Sequence, residues 1–597
     1  MSGDQSRIGD SLGRVNNGRR VTLLGIAKQA LVGQQFRLAL LAVFIAGSVV
    51  AEVAPPVILS RVVDYNIKNG TVDRLWFWAT AYLLAIFGQR LITFAQTYTT
   101  VVVGQHALLR LRSMMATHLA RLPVLFYDRA PVGDIVSRVT NDVEQVNVLF
   151  TTGVIAVLTD LFKIAGVLVA MFAIDSSLAL LAVLSLPFVY AATEYFRRGI
   201  RQAQRASRVW VGAINTYLQE SWRGFRLIKQ YDSAARFLER FEVPQQKYLD
   251  SSNRAAGFNA YFPGVQKTIE AITTGVVVWV AAVKLATNPT LSLGAIVAFS
   301  QLITRLFSPV QEISNELQTF QQAMAGVDRV VAFLKEEPDA GQGDAASGVT
   351  EAGGVVLRFE AVNFGYGSDV EILHGINLAV SPGERVAVVG RTGAGKTSII
   401  NLAAGLYRPW QGSVTVVGRN PATLTASERR HVIGVVPQTV YVAQATVAEN
   451  ISLGDPIITR EQIVQVSHRV GLDQVLEALP DGLDTVLGRG GHQLSHGQNQ
   501  LLCLARAMVC APPILLLDEP TSGIDSETER AIAKTLAGSR DMALIIVSHR
   551  PTNLSGIDRI IVIGDGRIIQ EGTQEELEKA PGWYASMQEI RRLGWIV

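Results

Sequence analysis

Six apolar runs in the first 310 residues constrain this chain more than any other feature. A helix that crosses a hydrocarbon core needs ~20 predominantly apolar residues. Runs of about that length stand at 38–60, 75–100, 151–174, 177–196, 268–287 and 292–310. No water reaches the backbone inside a bilayer, so each run must close its own hydrogen bonds as a helix. The expectation is an α-helical membrane domain of six transmembrane helices in a lipid bilayer. Only 18% of residues are charged, too few to coat a soluble protein of 597 residues. A net charge of +3 implies no polyanion partner, so no nucleic acid is expected.

The connections between runs alternate in length. Residues 61–74, 175–176 and 288–291 are short. Residues 104–150 and 197–262 are long, helical in pattern and rich in arginine: Arg110, Arg112, Arg121, Arg129 and Arg138, then Arg197, Arg198, Arg201, Arg205 and Arg208. Loops rich in Lys and Arg stay on the cytoplasmic side, so the membrane helices should continue well into the cytoplasm. The polar first twenty residues lack the apolar core of a secretory signal, and the N-terminus is expected in the cytoplasm too. A multi-pass protein of the cytoplasmic (inner) membrane follows. Four ionisable residues fall inside the spans: Glu52, Arg90, Asp160 and Lys163. In lipid they should face a cavity or one another. Asp160 and Lys163 are spaced to pair on one helix face, a structural role. Pro55-Pro56 should kink the first helix.

Beyond about residue 335 the pattern changes. EEPDAGQGDAASGVTEAGG, residues 336–354, has linker composition. The expected domains are therefore 1–335 in the membrane, a linker at 336–354, and an α/β domain at 355–597. VVLRFEAVNFGY, ERVAVVG, ILLLDEP and MALIIVSH read as strands, the last two as buried parallel ones. Cys503 and Cys510, seven apart, read as inert thiols on one helix face.

The chemistry gathers in this second half. GRTGAGKTS spans Gly390, Arg391, Thr392, Gly393, Ala394, Gly395, Lys396, Thr397 and Ser398, and fits the full phosphate-loop pattern between a strand and a helix. Backbone N–H groups from Gly393 to Thr397 should wrap phosphates at a helix N-terminus. Lys396 should reach the β- and γ-phosphates of ATP, and Thr397 should ligate Mg²⁺. ILLLDEP is an apolar strand ending in two acids. Asp518 is placed for the Mg²⁺ shell, and Glu519 to orient or deprotonate the attacking water. His549 and Gln438 alone would say little.

Taken together, Gly390–Thr397, Gln438, LSHGQ at 494–498, Asp518-Glu519, Ser522–Asp525 and His549 have the order and spacing of a nucleotide-binding domain of the ABC transporter family. With six apolar runs ahead of it, the chain resembles a half-transporter with the exporter-type (type IV) fold. FYDRAPVGDIVSRVTNDVEQV (126–146) and ESWRGFRLIKQY (220–231) resemble that family's two cytoplasmic coupling loops. Stretches near both ends are similar to the MdlB-type subunit of heterodimeric multidrug exporters. The resemblance implies roles for single residues. Tyr366 matches the aromatic that stacks on adenine. Gln438 matches a Mg²⁺ or water contact that senses the γ-phosphate, and His549 the histidine that holds it. Asp525 belongs to the loop that reads the opposite site. Ser495, His496, Gly497 and Gln498 form the signature that faces ATP bound to a second half-transporter. The function implied is ATP-driven export of an amphipathic small molecule.

Three positions depart from the family pattern. His496 stands where the family has glycine, Arg489 where exporters usually have glutamate, and YVAQAT follows Gln438 without the usual phenylalanine. Two of the three adjoin the signature, while the phosphate-loop side is intact. A heterodimer with one weakened site is therefore expected over a homodimer. An importer built on the same fold, a homodimeric lipid or drug exporter and a gated channel use the same motifs. A soluble DNA-repair ATPase is disfavoured by the six apolar runs.

Overall fold

The computed structural model describes residues 23–67, 74–232, 234–287, 291–339, 354–367, 370–488, 490–521, 523–548 and 556–592. His549 and Arg489 lie outside the described residues, as does most of the expected linker. The chain divides into two compact units, one of residues 1–120 and 133–336, the other of residues 121–132 and 337–597.

The first unit is helical. Its long helices are α1 (Gln35–Val62), α2 (Leu75–Leu119), α3 (Ala156–Ile174), α4 (Ser176–Arg223), α5 (Ala234–Thr287) and α6 (Leu293–Lys335). Among the described residues, six helical segments are long and apolar enough to cross a membrane, beginning at Gln35, Leu75, Val132, Ser176, Ala234 and Leu293. Several far exceed a bilayer's need: α4 has 48 residues and α5 has 54. The arginine-rich connections are thus helical continuations of the spans. α1 packs on α2, α4 on α5, and α6 on both α1 and α3. Asp175 caps α4, accepting from the N–H groups of Ser177 and Leu178.

Three of the four charges within the spans, Glu52, Asp160 and Lys163, have partners. Glu52 accepts from Arg305 Nη1 at 2.9 Å and from Gln89 Nε2 at 2.9 Å, which ties α1 to α6 and α2. Lys163 meets Asp160 at 3.1 Å, the pair its spacing predicts. Arg90 is exposed on this unit's surface. α1 runs on through Pro55-Pro56 and loosens only beyond them, into a π-turn at Val63–Ile67.

The second unit is α/β. Strands β5 (Ile433–Val436), β6 (Ile514–Asp518), β7 (Ala543–Val547), β3 (Arg385–Gly390), β8 (Arg559–Gly564) and β9 (Arg567–Gly572) form one sheet in that order. All neighbours are parallel except β8 and β9. β3 and β6 are buried at every residue, as unbroken apolar strands in a parallel sheet should be. A smaller antiparallel sheet orders β2 (Leu373–Val380), β1 (Leu357–Phe364) and β4 (Gln411–Val416). Three helices matter for the site: α7 (Lys396–Ala403), α8 (His496–Met508) and α9 (Ser526–Gly538). Cys503 is buried in α8, but Cys510 lies past that helix's end, so the two do not share a helical face. Burial raises the pKa of both thiols, which keeps them inert.

Candidate functional site

Parallel sheets present ligands beyond the carboxyl ends of their strands. Here β7 lies between β6 and β3, so Asp518 and Gly390 end strands one neighbour apart, roughly 10 Å by strand spacing. The loop from Arg391 to Gly395 then leads into α7. The glycines at its two ends, Gly390 closing β3 and Gly395, are dictated by contacts. At Gly390 (φ +152°) a Cβ would stand 2.2 Å from the Ile563 carbonyl oxygen. At Gly395 (φ +99°) it would stand 2.6 Å from Leu373. Arg391, Thr392 and Gly393 are exposed, whereas Ala394, Gly395, Lys396 and Ser398 are buried.

Lys396 folds back into this loop. Its Nζ donates to the carbonyls of Gly390 at 3.0 Å and Arg391 at 2.9 Å. Burial lowers its pKa, against the pull of Glu519 and Asp518. Those two acids therefore face the loop, as the motif spacing implies. Thr397 Oγ1 donates to Asp518 Oδ1 at 3.5 Å. Glu519 follows β6 with φ +50°, a left-handed conformation costly outside glycine, and its N–H donates to Val547 O at 3.0 Å. Gln438 Nε2 donates to Glu519 Oε2 at 3.0 Å. A hydroxyl, a carboxylate and the amide oxygen of Gln438 are hard oxygen donors, and this set suits Mg²⁺.

Tyr366 is half-buried at the end of β1. Its phenol oxygen accepts from Ser398 Oγ at 3.2 Å and Asn401 Nδ2 at 3.0 Å, so the aromatic and α7 move as one piece. Its ring stands edge-on to Tyr407 at 5.1 Å. Tyr407 in turn donates its hydroxyl to the Asp128 carboxylate, and Arg129 reaches the Tyr366 carbonyl at 3.5 Å. Burial, then Asp128, pushes the Tyr407 phenol well above its ordinary range. The short helix Val124–Arg129 thus belongs to the nucleotide-binding unit's own surface. Within the stretch that resembles the second coupling loop, Phe225–Gln230 form a short helix, and Phe225 stacks at 6.3 Å on Trp222 at the end of α4; both rings are exposed.

The signature starts α8. Ser495 and Gln498 form a capping box: the hydroxyl accepts from the Gln498 N–H, and the Gln498 amide oxygen accepts from the Ser495 N–H at 2.8 Å. Gly497 is required by packing, because a Cβ there would stand 2.7 Å from Thr528 Oγ1 of α9. His496 is different. It is exposed, takes up ordinary helical backbone, and lies beside Gly523, where an added Cβ would be 3.9 Å from its ring. Position 496 therefore needs neither glycine's backbone freedom nor its small size within this chain.

Asp525 has a task that sequence pattern did not reveal. It caps α9, with Oδ1 accepting from the Glu527 and Thr528 N–H groups and Oδ2 from Thr528 Oγ1 at 2.8 Å. These bonds hold its carboxyl below the usual range. Asn450 is a second such residue. It is fully buried and accepts from Ala443 N at 2.9 Å while donating to the carbonyls of Ala443, Ala445 and Thr446. Arg506 of α8 reaches Asn450 O at 2.8 Å and Tyr441 O at 3.0 Å. The stretch after Gln438 is thereby fastened to the signature helix. The cue in the sequence was an Asn between Val447 and Ile451 on the short helix VAENIS.

Comparison with known proteins extends these observations. Residues 38–310 match the family model for the ABC transporter transmembrane region, and residues 373–522 the model for the ABC transporter. The chain is 30% identical over 551 residues to an ATP-dependent lipid A-core flippase of Chromobacterium violaceum, covering 92% of this chain and 93% of that one. It is 30% identical over 561 residues to a multidrug efflux ATP-binding/permease protein of Mycobacterium bovis, covering 93% of this chain but 46% of that longer one. A solved bacterial Atm1-family ABC exporter with ATP bound superposes with a TM-score of 0.77 at 22% identity, covering 94% of this chain and 98% of that chain.

Proposed function

Since the chain belongs to the ABC transporter family, a membrane-embedded ATPase with the exporter fold, we propose that it is one half of an exporter of amphipathic small molecules. One observation carries this reading. Six apolar helices share a chain with a phosphate loop whose lysine, threonine and two acids converge at strand ends. Drug efflux and lipid flipping are both named among the relatives, and an amphipathic cargo is common to them.

The roles proposed for single residues rest on the motifs and the family resemblance, and their positions support them. Tyr366 takes the adenine. The loop from Gly390 to Ser398 takes the phosphates, with Lys396 exchanging its two carbonyls for phosphate oxygens. Thr397, Asp518 and Gln438 would hold Mg²⁺, which when bound offsets the negative charge of the phosphates. Glu519 orients the attacking water, its carboxylate aimed by Gln438. His549 lies beyond the described residues, and its γ-phosphate role remains a proposal from the family resemblance. The inner membrane is the proposed location, with the nucleotide-binding unit in the cytoplasm. Vesicles of inverted membranes test export: an amphipathic dye should accumulate inside when ATP is added outside. Loss of dye from preloaded vesicles would indicate import instead.

The partner is proposed to be a different half-transporter. His496 supports this, because its exposed ring stands at the N-terminus of the helix that would meet the partner's ATP. The exposed Trp222 and Phe225 are proposed to dock on the partner's nucleotide-binding domain. His496→Gly should shorten nucleotide retention at the site this signature completes, with little change in overall turnover. Site-by-site occupancy after one round of hydrolysis measures it. Equal, rapid clearance of both sites in the unmodified complex would make His496 a tolerated substitution.

The contact between Asp128 and Tyr407 is proposed to carry strain between the membrane helices and the adenine site. Tyr407→Phe removes one charge-assisted hydrogen bond. It should cut cargo-stimulated ATPase by roughly fivefold, about 1 kcal/mol, while ATP affinity holds. An unchanged stimulation ratio would assign coupling elsewhere.

A further inference from the structure

Among the described residues, the helical unit holds two buried carboxylate oxygens without a hydrogen-bond partner. Asp160 of α3 is 3% exposed. Its Oδ1 accepts from Lys163 Nζ at 3.1 Å, but its Oδ2 is buried and unpartnered. Glu316 of α6 has a buried, unpartnered Oε2 as well. α6 packs directly on α3, and the charges of Asp160 and Glu312 both act on Glu316. Buried polar atoms are nearly always satisfied in folded proteins, so two orphans at one helix contact call for an occupant.

The charges around them do not cancel. Three carboxylates (Asp160, Glu312 and Glu316) meet one ammonium, Lys163, which is already spent on Asp160. Two arginines of α6 are already engaged by other carboxylates. Arg305 pairs with Glu52 at 2.9 Å and Arg329 with Asp142 at 2.6 Å. On α5, Glu270 pairs with Lys267 at 2.8 Å and accepts from Thr304 of α6 at 2.9 Å. The position is therefore short of positive charge, and burial of the two oxygens strengthens their attraction for an opposite charge.

We infer that Asp160 and Glu316 form a binding site between α3 and α6 for a monovalent organic cation, which exchanges there with a proton. Two free oxygens cannot replace the hydration shell of a metal ion such as Ca²⁺, which takes six to eight oxygen ligands. Among the described residues no His, Cys, Asp and Glu group is arranged to hold a metal. An organic cation with spread charge surrenders little hydration and needs only one or two carboxylates beside apolar walls. Deepening the export reading, on which it rests for its purpose, this names a chemical class within the amphipathic cargoes.

Glu316 lies beyond the apolar segment Leu293–Ile313. Burial first, then Asp160 and Glu312, raise its carboxyl to about 7, against Lys163. The sign follows directly. Above that pH the group is ionised and holds a cation; below it the group is protonated and releases one. Between pH 8 and pH 6 the ionised fraction of such a group falls about tenfold.

The test is equilibrium binding of radiolabelled tetraphenylphosphonium to the full-length protein, purified with its partner subunit, without nucleotide. Saturable affinity should fall about tenfold from pH 8 to pH 6. Glu316→Gln should bind weakly at both pH values and show no pH dependence, and Asp160→Asn should lose affinity at pH 8. Retained binding of a fluorescent ATP analogue shows that each variant is folded. The pH profile of the unmodified protein needs no variant at all. A flat profile there, or full affinity in Glu316→Gln, overturns the inference, as does equal competition by K⁺. Loss of ATP-driven dye flux with cation binding intact would strike the export reading alone. Flux with a flat binding profile would strike this site alone.

Discussion

Glu519→Gln is expected to slow ATP turnover by about 10²- to 10⁴-fold while nucleotide binding persists. The residue is built for one orientation. Its backbone is left-handed at φ +50°, a strain of about 1–3 kcal/mol for a non-glycine residue. The strand contact from its N–H to Val547 O holds that strain in place. Its Oε2 is then fixed by Gln438. Glutamine keeps the size and one acceptor but not the charge, so a water can be bound and no longer polarised. Lys396→Ala should differ in kind and weaken binding itself, because the loop loses its only buried ammonium among the described residues. Steady-state ATPase of the purified complex and retained labelled nucleotide give the two readouts. Turnover of Glu519→Gln at the unmodified rate would move the working site to the partner's Walker side.

Asn450→Ala should lower the stability of the nucleotide-binding unit by about 3–5 kcal/mol. At 0% exposure its side chain makes five hydrogen bonds: from Ala443 N and Arg506 Nη2, and to the carbonyls of Ala443, Ala445 and Thr446. Removing it strands these groups where water has little access, at about 1–3 kcal/mol for each left unpaired. Not every group stays unpaired, since Thr446 O also accepts from the Asn450 N–H at 2.9 Å. The shift in midpoint should be about 10 °C for a unit of this size. Scanning fluorimetry of the full-length protein in detergent reads it. A shift under about 2 °C would mean that the loop after Gln438 rearranges freely, and that its tie to α8 is incidental.

The parts of this protein legible in its sequence are those set by short spacing. The phosphate loop and the acid pair at the end of β6 each span fewer than ten residues. Their physics is local, so the pattern carries the geometry. The six spans were legible for a similar reason, since lipid forces a periodic and apolar solution. What stayed hidden depends on distant partners. Arg506 and Asn450 are 56 positions apart, Glu52 and Arg305 are 253, and Asp128 and Tyr407 are 279. No periodicity reports such pairs. Asp525 was hidden differently: the family resemblance gave it a role across an interface, which masked its capping of α9. His496 reads in sequence as an intruder in a glycine position. The structure separates two demands there, and only Gly497 meets a steric limit within the chain.

The nucleotide-binding unit is discontinuous, borrowing residues 121–132 from a loop made long before the rest of it. That has a consequence for birth rather than for work. At about 5–20 residues per second, roughly 15–60 s pass between synthesis of Asp128 and of Tyr407. Throughout that interval the ribosome has delivered a docking piece with no dock. Closing a loop that long also carries an entropic toll, though one that grows only with the logarithm of its length. Completion of this unit is then a capture step, in which the late-made sheet takes up a helix synthesised long before it. Variants weakening Val124–Arg129 would first be seen by the cell's quality control as slow assembly, before any change in the finished machine.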